Sequence, residues 1–379
     1  METQVISANV ARLRADRGLS QAELAQRAGL SRITLGKIER GEVLARSETL
    51  SGLARGLKVS VADLVTPIRP LPGVRFRAKK RVNGREQILA EVASWLHAYT
   101  EVETALGETK VFALQRLMGA TQDTRDPVSL AQEAREGFHL SHKEPIRDIC
   151  GLLEDNGVKV FLVQKSTDSF FGLSVAATDG GPAVAVNTWD RISVERWIFT
   201  AAHELGHLLL HSDAYDRSRD EEDPRQEREA DRFASHFLMP ESVFRSEWEE
   251  TSGLALLDRV LKLKRIFRVS YKTVIYRLVE SGAVPGEAWK TFQVQYKSRF
   301  HAGLRKVDEP NRLLEGEFRL DWNRAGEPDA LSKYDFVEDR LSRLVRTALE
   351  EGKISLGRAA EILRIPRTEM RELAASWAK

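Results

Sequence analysis

His203-Glu204-Leu205-Gly206-His207 is the stretch from which the rest of the chain can be read. Trp197-Ile198-Phe199-Thr200-Ala201-Ala202 runs ahead of it and Leu208-Leu209-Leu210 behind it. The run has no proline and a single glycine, and it is long enough for a helix of about four turns. Residues four apart share one helical face, so His203 and His207 can hold one metal ion between them. Glu204 follows the first of them and lies beside that ion, where its carboxylate can take a proton from a water molecule. Without metal, an apolar helix would bury these polar groups at a cost of roughly 1–3 kcal/mol each.

Histidines at this spacing with a glutamate after the first form the H-E-x-x-H arrangement of zinc peptidases. A catalytic zinc site needs a third protein ligand and one open position. Asp213 stands six residues after the second histidine, but Leu210 occupies the place where a glycine would break the helix, so Asp213 is a poor third ligand. His211 lies two turns from His203, roughly 12 Å along the axis, too far to share a metal with it. The better candidate lies in Glu227-Arg228-Glu229-Ala230-Asp231-Arg232-Phe233-Ala234. Glu227 and Asp231 are four apart on a second predicted helix, which can put Glu227 on the metal and Asp231 on the far nitrogen of a ligand histidine. Glu229 points to another face and reads as a solvated charge. Tyr215, Arg232 and His236 are candidates for stabilising an oxyanion.

The first motif, followed by Glu227-x-x-Ala230-Asp231-x-Phe233-Ala234-x-x-Phe237-Leu238-Met239-Pro240, resembles the ImmA/IrrE metallopeptidases. The resemblance covers roughly residues 105–285 and implies zinc (Zn2+) ligands at His203, His207 and Glu227, with Glu204 as base. It also implies that the substrate is a repressor or antitoxin partner, cut under stress.

Residues 1–66 read as five short helices. An apolar stripe of Val5, Ile6, Val10 and Leu13 closes at Gly18, Ser20 caps the next helix, and Gly29-Leu30-Ser31 forms a tight turn. Two short helices about a glycine turn make a helix-turn-helix. Leu19-Ser20-Gln21-x-x-Leu24-Ala25, Gly29-Leu30-Ser31 and Ile38-Glu39-Arg40-Gly41 resemble the XRE (Cro/C1-type) regulators. That class implies binding to a double-stranded DNA operator as a homodimer, with the second helix of the pair in the major groove. Arg32, Ile33, Thr34 and Lys37 are its outward residues. Arg32 and Lys37 are candidates for guanine edges and Ile33 for a thymine methyl, while Gln21 and Arg40 are candidates for backbone phosphates.

The 379 residues suffice for two or three domains, and 42% hydrophobic with 30% charged residues is an ordinary globular composition. One cysteine, Cys150, excludes a disulfide framework within the chain. The opening Met-Glu-Thr-Gln carries no basic-then-apolar signal and no apolar run reaches spanning length, so a cytoplasmic protein without a membrane partner is expected. The net charge of +2 decides nothing by itself.

The expected architecture is mainly α with a small α+β, zincin-like domain. Its parts are a helix-turn-helix domain at 1–66, a proline-rich and basic linker with a connecting helix at 67–105, and a metallopeptidase-like domain at 106–250. A helix-turn-helix-like unit follows at 251–285, then a helical region at 286–379. Strands are expected at 158–163, 170–175 and 183–187, the last as the sheet edge for substrate. The acidic stretch 212–226 reads as a loop over the site. The function this supports is a DNA-binding regulator with a zinc-dependent peptidase domain. The alternatives are a regulator whose zincin-like domain senses a ligand without proteolysis, or a toxin–antitoxin component.

Overall fold

Short helices succeed one another in the amino-terminal stretch because each is stopped and restarted by its own sequence. In a computed structural model, residues 2–65, 73–78, 85–118, 126–141, 144–167, 170–211, 215, 223–301, 304 and 327–377 are described. The first helices are α1 (Glu2–Asp16), α2 (Gln21–Ala28), α3 (Arg32–Glu39), α4 (Ser47–Leu57) and α5 (Val61–Val65). Three of their junctions share one build. Gly18, Gly29 and Lys58 take left-handed backbone, with φ of 61°, 70° and 54°. The next residue, Leu19, Leu30 or Val59, packs on the core and returns its N–H to the helix just ended. Then Ser20, Ser31 or Ser60 accepts an N–H from the first turn of the next helix. Val10, Leu24, Leu35, Leu53, Leu57 and Leu64 form the fully buried centre of this module.

The chain divides into two compact units. One comprises Met1–Leu71 with Arg81–Ala98, the other Pro72–Lys80 with Tyr99–Lys379. Helix α6 (Arg85–Leu106) contributes residues to both.

The second unit holds a sheet of β1 (Val74–Ala78), β2 (Lys159–Val163), β3 (Phe170–Val175) and β4 (Ala183–Asn187), ordered β1-β3-β4-β2 among the described residues. β2 runs parallel to β4, and β3 antiparallel to both β4 and β1. The expected substrate edge at 183–187 is overturned: β4 is flanked on both sides and all its residues are buried. Its unbroken Ala-Val-Ala-Val run is what a strand covered on both faces requires. β1, which lies in the stretch expected to be linker, pairs along the outer side of β3.

Around the sheet and beyond it stand α7 (Pro127–Gly137), α8 (Ile149–Asp155), α9 (Val194–Leu210), α10 (Pro224–Leu238), α11 (Glu241–Glu250), α12 (Leu256–Phe267), α13 (Tyr271–Glu280) and α14 (Ala288–Phe300). The chain ends with α15 (Arg340–Glu350), α16 (Leu356–Leu363) and α17 (Arg367–Trp377). α9 lies against β3, β4 and α10, and α10 lies in turn on α7. Phe233 and Phe237 stack within that core, and the buried Arg135 of α7 donates to the Phe237 carbonyl at 2.8 Å. Lys264 on α12 reaches Glu195 in the first turn of α9 at 2.6 Å, both side chains fully buried, which anchors the start of the histidine-bearing helix. The junction of the first unit returns as Arg268-Val269-Ser270 between α12 and α13, and its first two members, without a serine cap, as Arg364-Ile365 ahead of α17. Asp213, most of the acidic stretch, the basic positions 79–81 and Trp322 lie outside the described residues.

Candidate metal centre

Ser193 caps α9 by accepting from the Arg196 amide, and the helix then runs buried on nearly every residue. A helix buried all round has to account for each polar side chain it carries. His203, Glu204 and His207 are each 0% exposed. α10 crosses α9 at Gly206, where an added Cβ would stand 2.9 Å from the Phe233 ring and 3.4 Å from the Ala230 Cα. That close approach delivers Glu227, in the first turn of α10, to the histidines.

The ligand atoms of His203, His207 and Glu227 lie within 4.8 Å of one another. Glu227 Oε2 is 3.4 Å from His203 Nε2, and Glu227 Oε1 is 3.2 Å from His207 Nε2. Both Nε2 atoms are buried without a hydrogen-bond partner among the described residues. Burial lowers the pKa of His207 well below the imidazole range, and His203 pushes it the same way. Burial acts to raise Glu227, but the two imidazoles beside it outweigh burial and hold the carboxyl well below its ordinary range. Neutral imidazole and ionised carboxylate are the forms that bind metal. Two nitrogens and a carboxylate are a donor set that zinc takes, so the residues present fit the ion.

The outer nitrogen of each histidine is also engaged. His203 Nδ1 is 2.8 Å from Asp231 Oδ1, as the four-residue spacing suggested. His207 Nδ1 is 2.9 Å from His211 Nδ1, and His211 Nε2 is 3.0 Å from Glu229 Oε2. The expectation of Glu229 as a solvated charge is therefore corrected: it is bonded to His211 and to Arg225. The reading of Glu229 followed its own helix and left out the neighbouring one. The sign that could have found it is arithmetic, since His211 stands four residues after His207.

Glu204 Oε2 accepts from Ser174 of β3 at 2.8 Å, and Tyr215 donates to Ser174 at 2.9 Å. Burial pushes the Tyr215 phenol up, so it stays a neutral donor. Arg232 is half-exposed near Asp126, and His236 contacts Arg277, so of the three oxyanion candidates Tyr215 is the one joined to this cluster. A residue from outside the expected set also enters. Arg75 of β1 places Nη2 3.4 Å from Glu227 Oε1 and Nη1 2.6 Å from Gln226.

In the first unit, Arg32, Ile33 and Lys37 are exposed on α3, with Ile33 at 73%, and Thr34 is half-buried beside the Ser31 cap. Gln21 and Arg40 are already engaged. Gln21 donates to Glu39 at 2.7 Å, and Arg40 pairs with Glu42 at 2.6 Å on the surface.

Residues 153–279 match the IrrE N-terminal-like domain (peptidase family M78), and residues 10–64 match a helix-turn-helix family. The chain is also similar to an uncharacterized HTH-type transcriptional regulator, y4dJ, of Sinorhizobium fredii. They are 41% identical over 69 residues, which is 18% of this chain and 90% of that relative. No helix is long and apolar enough to cross a membrane among the described residues. A capped helix pair at one end and a histidine–glutamate cluster in the middle thus agree with two separate family matches, and the chain belongs to the helix-turn-helix regulators, its amino-terminal module joined to an IrrE N-terminal-like domain.

Proposed function

We propose that this chain is a cytoplasmic, DNA-binding transcription regulator whose IrrE-like domain is a zinc-dependent endopeptidase acting on a repressor or antitoxin partner in a stress response. The observation that carries the enzymatic half is the convergence of His203, His207 and Glu227 within 4.8 Å, with Glu204 held beside them by Ser174. A purely structural metal site has no use for Glu204. A bound zinc ion supplies Lewis acidity, polarising a carbonyl group and making a water molecule more acidic. Glu204 would accept a proton from water on a carboxylate oxygen as the water oxygen adds to the scissile carbonyl carbon, and would pass it to the amine nitrogen as the C–N bond breaks. Ser174, backed by Tyr215, fixes the rotamer from which Glu204 does so. Asp231, His203's outer partner, and the His211–Glu229 pair behind His207 keep both rings aimed at the centre.

The regulatory half rests on the helix-turn-helix match and on an α3 that leaves Arg32, Ile33 and Lys37 exposed. The operator reading is a pseudo-palindrome bound by a homodimer, with half-sites about 34 Å apart.

The test compares wild type with Glu204→Gln under stress in the native host, reading shortened proteins by mass spectrometry and operator occupancy in the same cells. Removal of the base is expected to lower fragment formation by roughly 10²–10⁴-fold, with zinc content and operator occupancy unchanged. Regulation that stays intact while no fragment depends on Glu204 would leave a regulator without peptidase activity.

A further inference from the structure

We propose that β1 is a self-strand seated where an extended peptide substrate would lie, so that peptide recognition at the metal centre requires β1 to leave β3. The inference rests on the peptidase reading for the purpose of that edge, and on the strand pairing alone for its occupancy.

β3 is the strand that borders the centre. Its Ser174 holds Glu204, and a Cβ at Gly172 would come within 3.3 Å of Glu204 Oε1. One side of β3 belongs to β4, and the other is taken by β1 in antiparallel register, with Val74 opposite Val175, Arg75 opposite Ser174 and Phe76 opposite Leu173. Directly opposed residues of an antiparallel pair point to the same face. Arg75 therefore shares the face of Ser174, the one turned to α9, and its side chain, 12% exposed, ends on Gln226 and the ligand Glu227. A backbone strand along an edge, with one side chain delivered into a pocket, is how an extended peptide adds to a sheet. Here the chain supplies that strand itself.

Two features suit β1 to leave. It is five residues long, and its register breaks between Phe76 and Ala78. Its guanidinium also lies beside a carboxylate that a dication would claim, so metal and Arg75 compete for the negative charge of Glu227. The substrate that replaces β1 is accordingly an extended segment carrying an arginine opposite Ser174.

The experiment uses the full chain with Glu204→Gln, so that bound peptide is not cut, in three forms: Arg75 intact, Arg75→Ala and Arg75→Pro. Gly73 accepts from the Ala176 amide at 2.8 Å, and hydrogen-bonded pairs alternate, so Arg75 is the next position to donate its amide to β3. Proline removes that bond together with the guanidinium, whereas alanine removes the guanidinium alone. The probe is a labelled peptide of residues 72–80, Pro-Gly-Val-Arg-Phe-Arg-Ala-Lys-Lys. Its affinity is expected to rise at least about tenfold from intact Arg75 to Arg75→Pro, with Arg75→Ala between them. The same peptide carrying Arg75→Glu is expected to bind at least about tenfold more weakly. Amide exchange along 170–175 should quicken in Arg75→Pro and slow again when peptide saturates it, with α9 and α10 unchanged. Equal affinities across the three forms, or unaltered exchange along β3, would overturn the self-strand. A gain in binding stands whether or not any form hydrolyses peptide. Fragment formation by a chain with Glu204 intact, alongside equal affinities, would keep the peptidase and remove the self-strand.

Discussion

His203, His207 and Glu227 are the group that converges among the described residues, and His203→Ala or Glu227→Ala should abolish stoichiometric zinc. Asp231→Ala and His211→Ala act one step further out and should weaken zinc by roughly 10–100-fold without abolishing it. Competition with a chelator of known affinity measures both. Full retention by Glu227→Ala would displace the proposed ligand set. The inner three and Asp231 were legible in the sequence because each pair is four apart on one helix, a spacing that survives any tertiary arrangement. His211 was weighed against His203 alone, although its four-residue neighbour is His207. Ser174 and Arg75 left no trace, because a strand residue acquires its facing only when its partners in the sheet are known.

Between residue and molecule, one junction recurs: a left-handed residue, an apolar residue, then a cap. Gly29 takes φ 70° freely, but Lys58 takes φ 54° with a Cβ, at a cost of roughly 1–2 kcal/mol. Lys58→Gly should stabilise the amino-terminal module by about 1 kcal/mol, offset in part by added freedom of the unfolded chain, and denaturant unfolding would record it. The glycine and serine junctions before α2 and α3 were easy to anticipate because their residue types announce the turn and the cap. Arg268 and Arg364 hide the same turn behind side chains that do not favour it. On α3, exposed Arg32 has no structural duty comparable to that of Gln21, which holds Glu39. Arg32→Ala should cost roughly 1–3 kcal/mol of operator binding and relax one base position. Titration against variant operators would show it, and identical binding to every sequence by both proteins would remove the base-reading role. The small sheet was read less well: three strands were foreseen, but β4 became central and β1 came from presumed linker, since strand order depends on pairing across distant segments.

At the scale of the whole chain, pH acts through a buried carboxyl outside the metal centre. Glu154, 2% exposed, has its pKa pushed up to about 7, chiefly by burial, against the lowering effect of the Arg340 and Asp339 amides it accepts. Its ordinary value is 4.5, so as pH rises from 4.5 to 7 the unfolded chain releases this proton first and stability falls. Glu154→Gln keeps an acceptor for those amides and should flatten that decline, which thermal melts across the interval would show. β1, finally, changes what a concentration means. A ligand joined covalently to its own receptor acts at about millimolar effective concentration. A free peptide at micromolar levels and equal intrinsic affinity would then be outcompeted roughly a thousandfold, and an intact peptidase would look inert in a short-peptide assay. A partner docked through a second contact escapes that handicap, because it too arrives tethered.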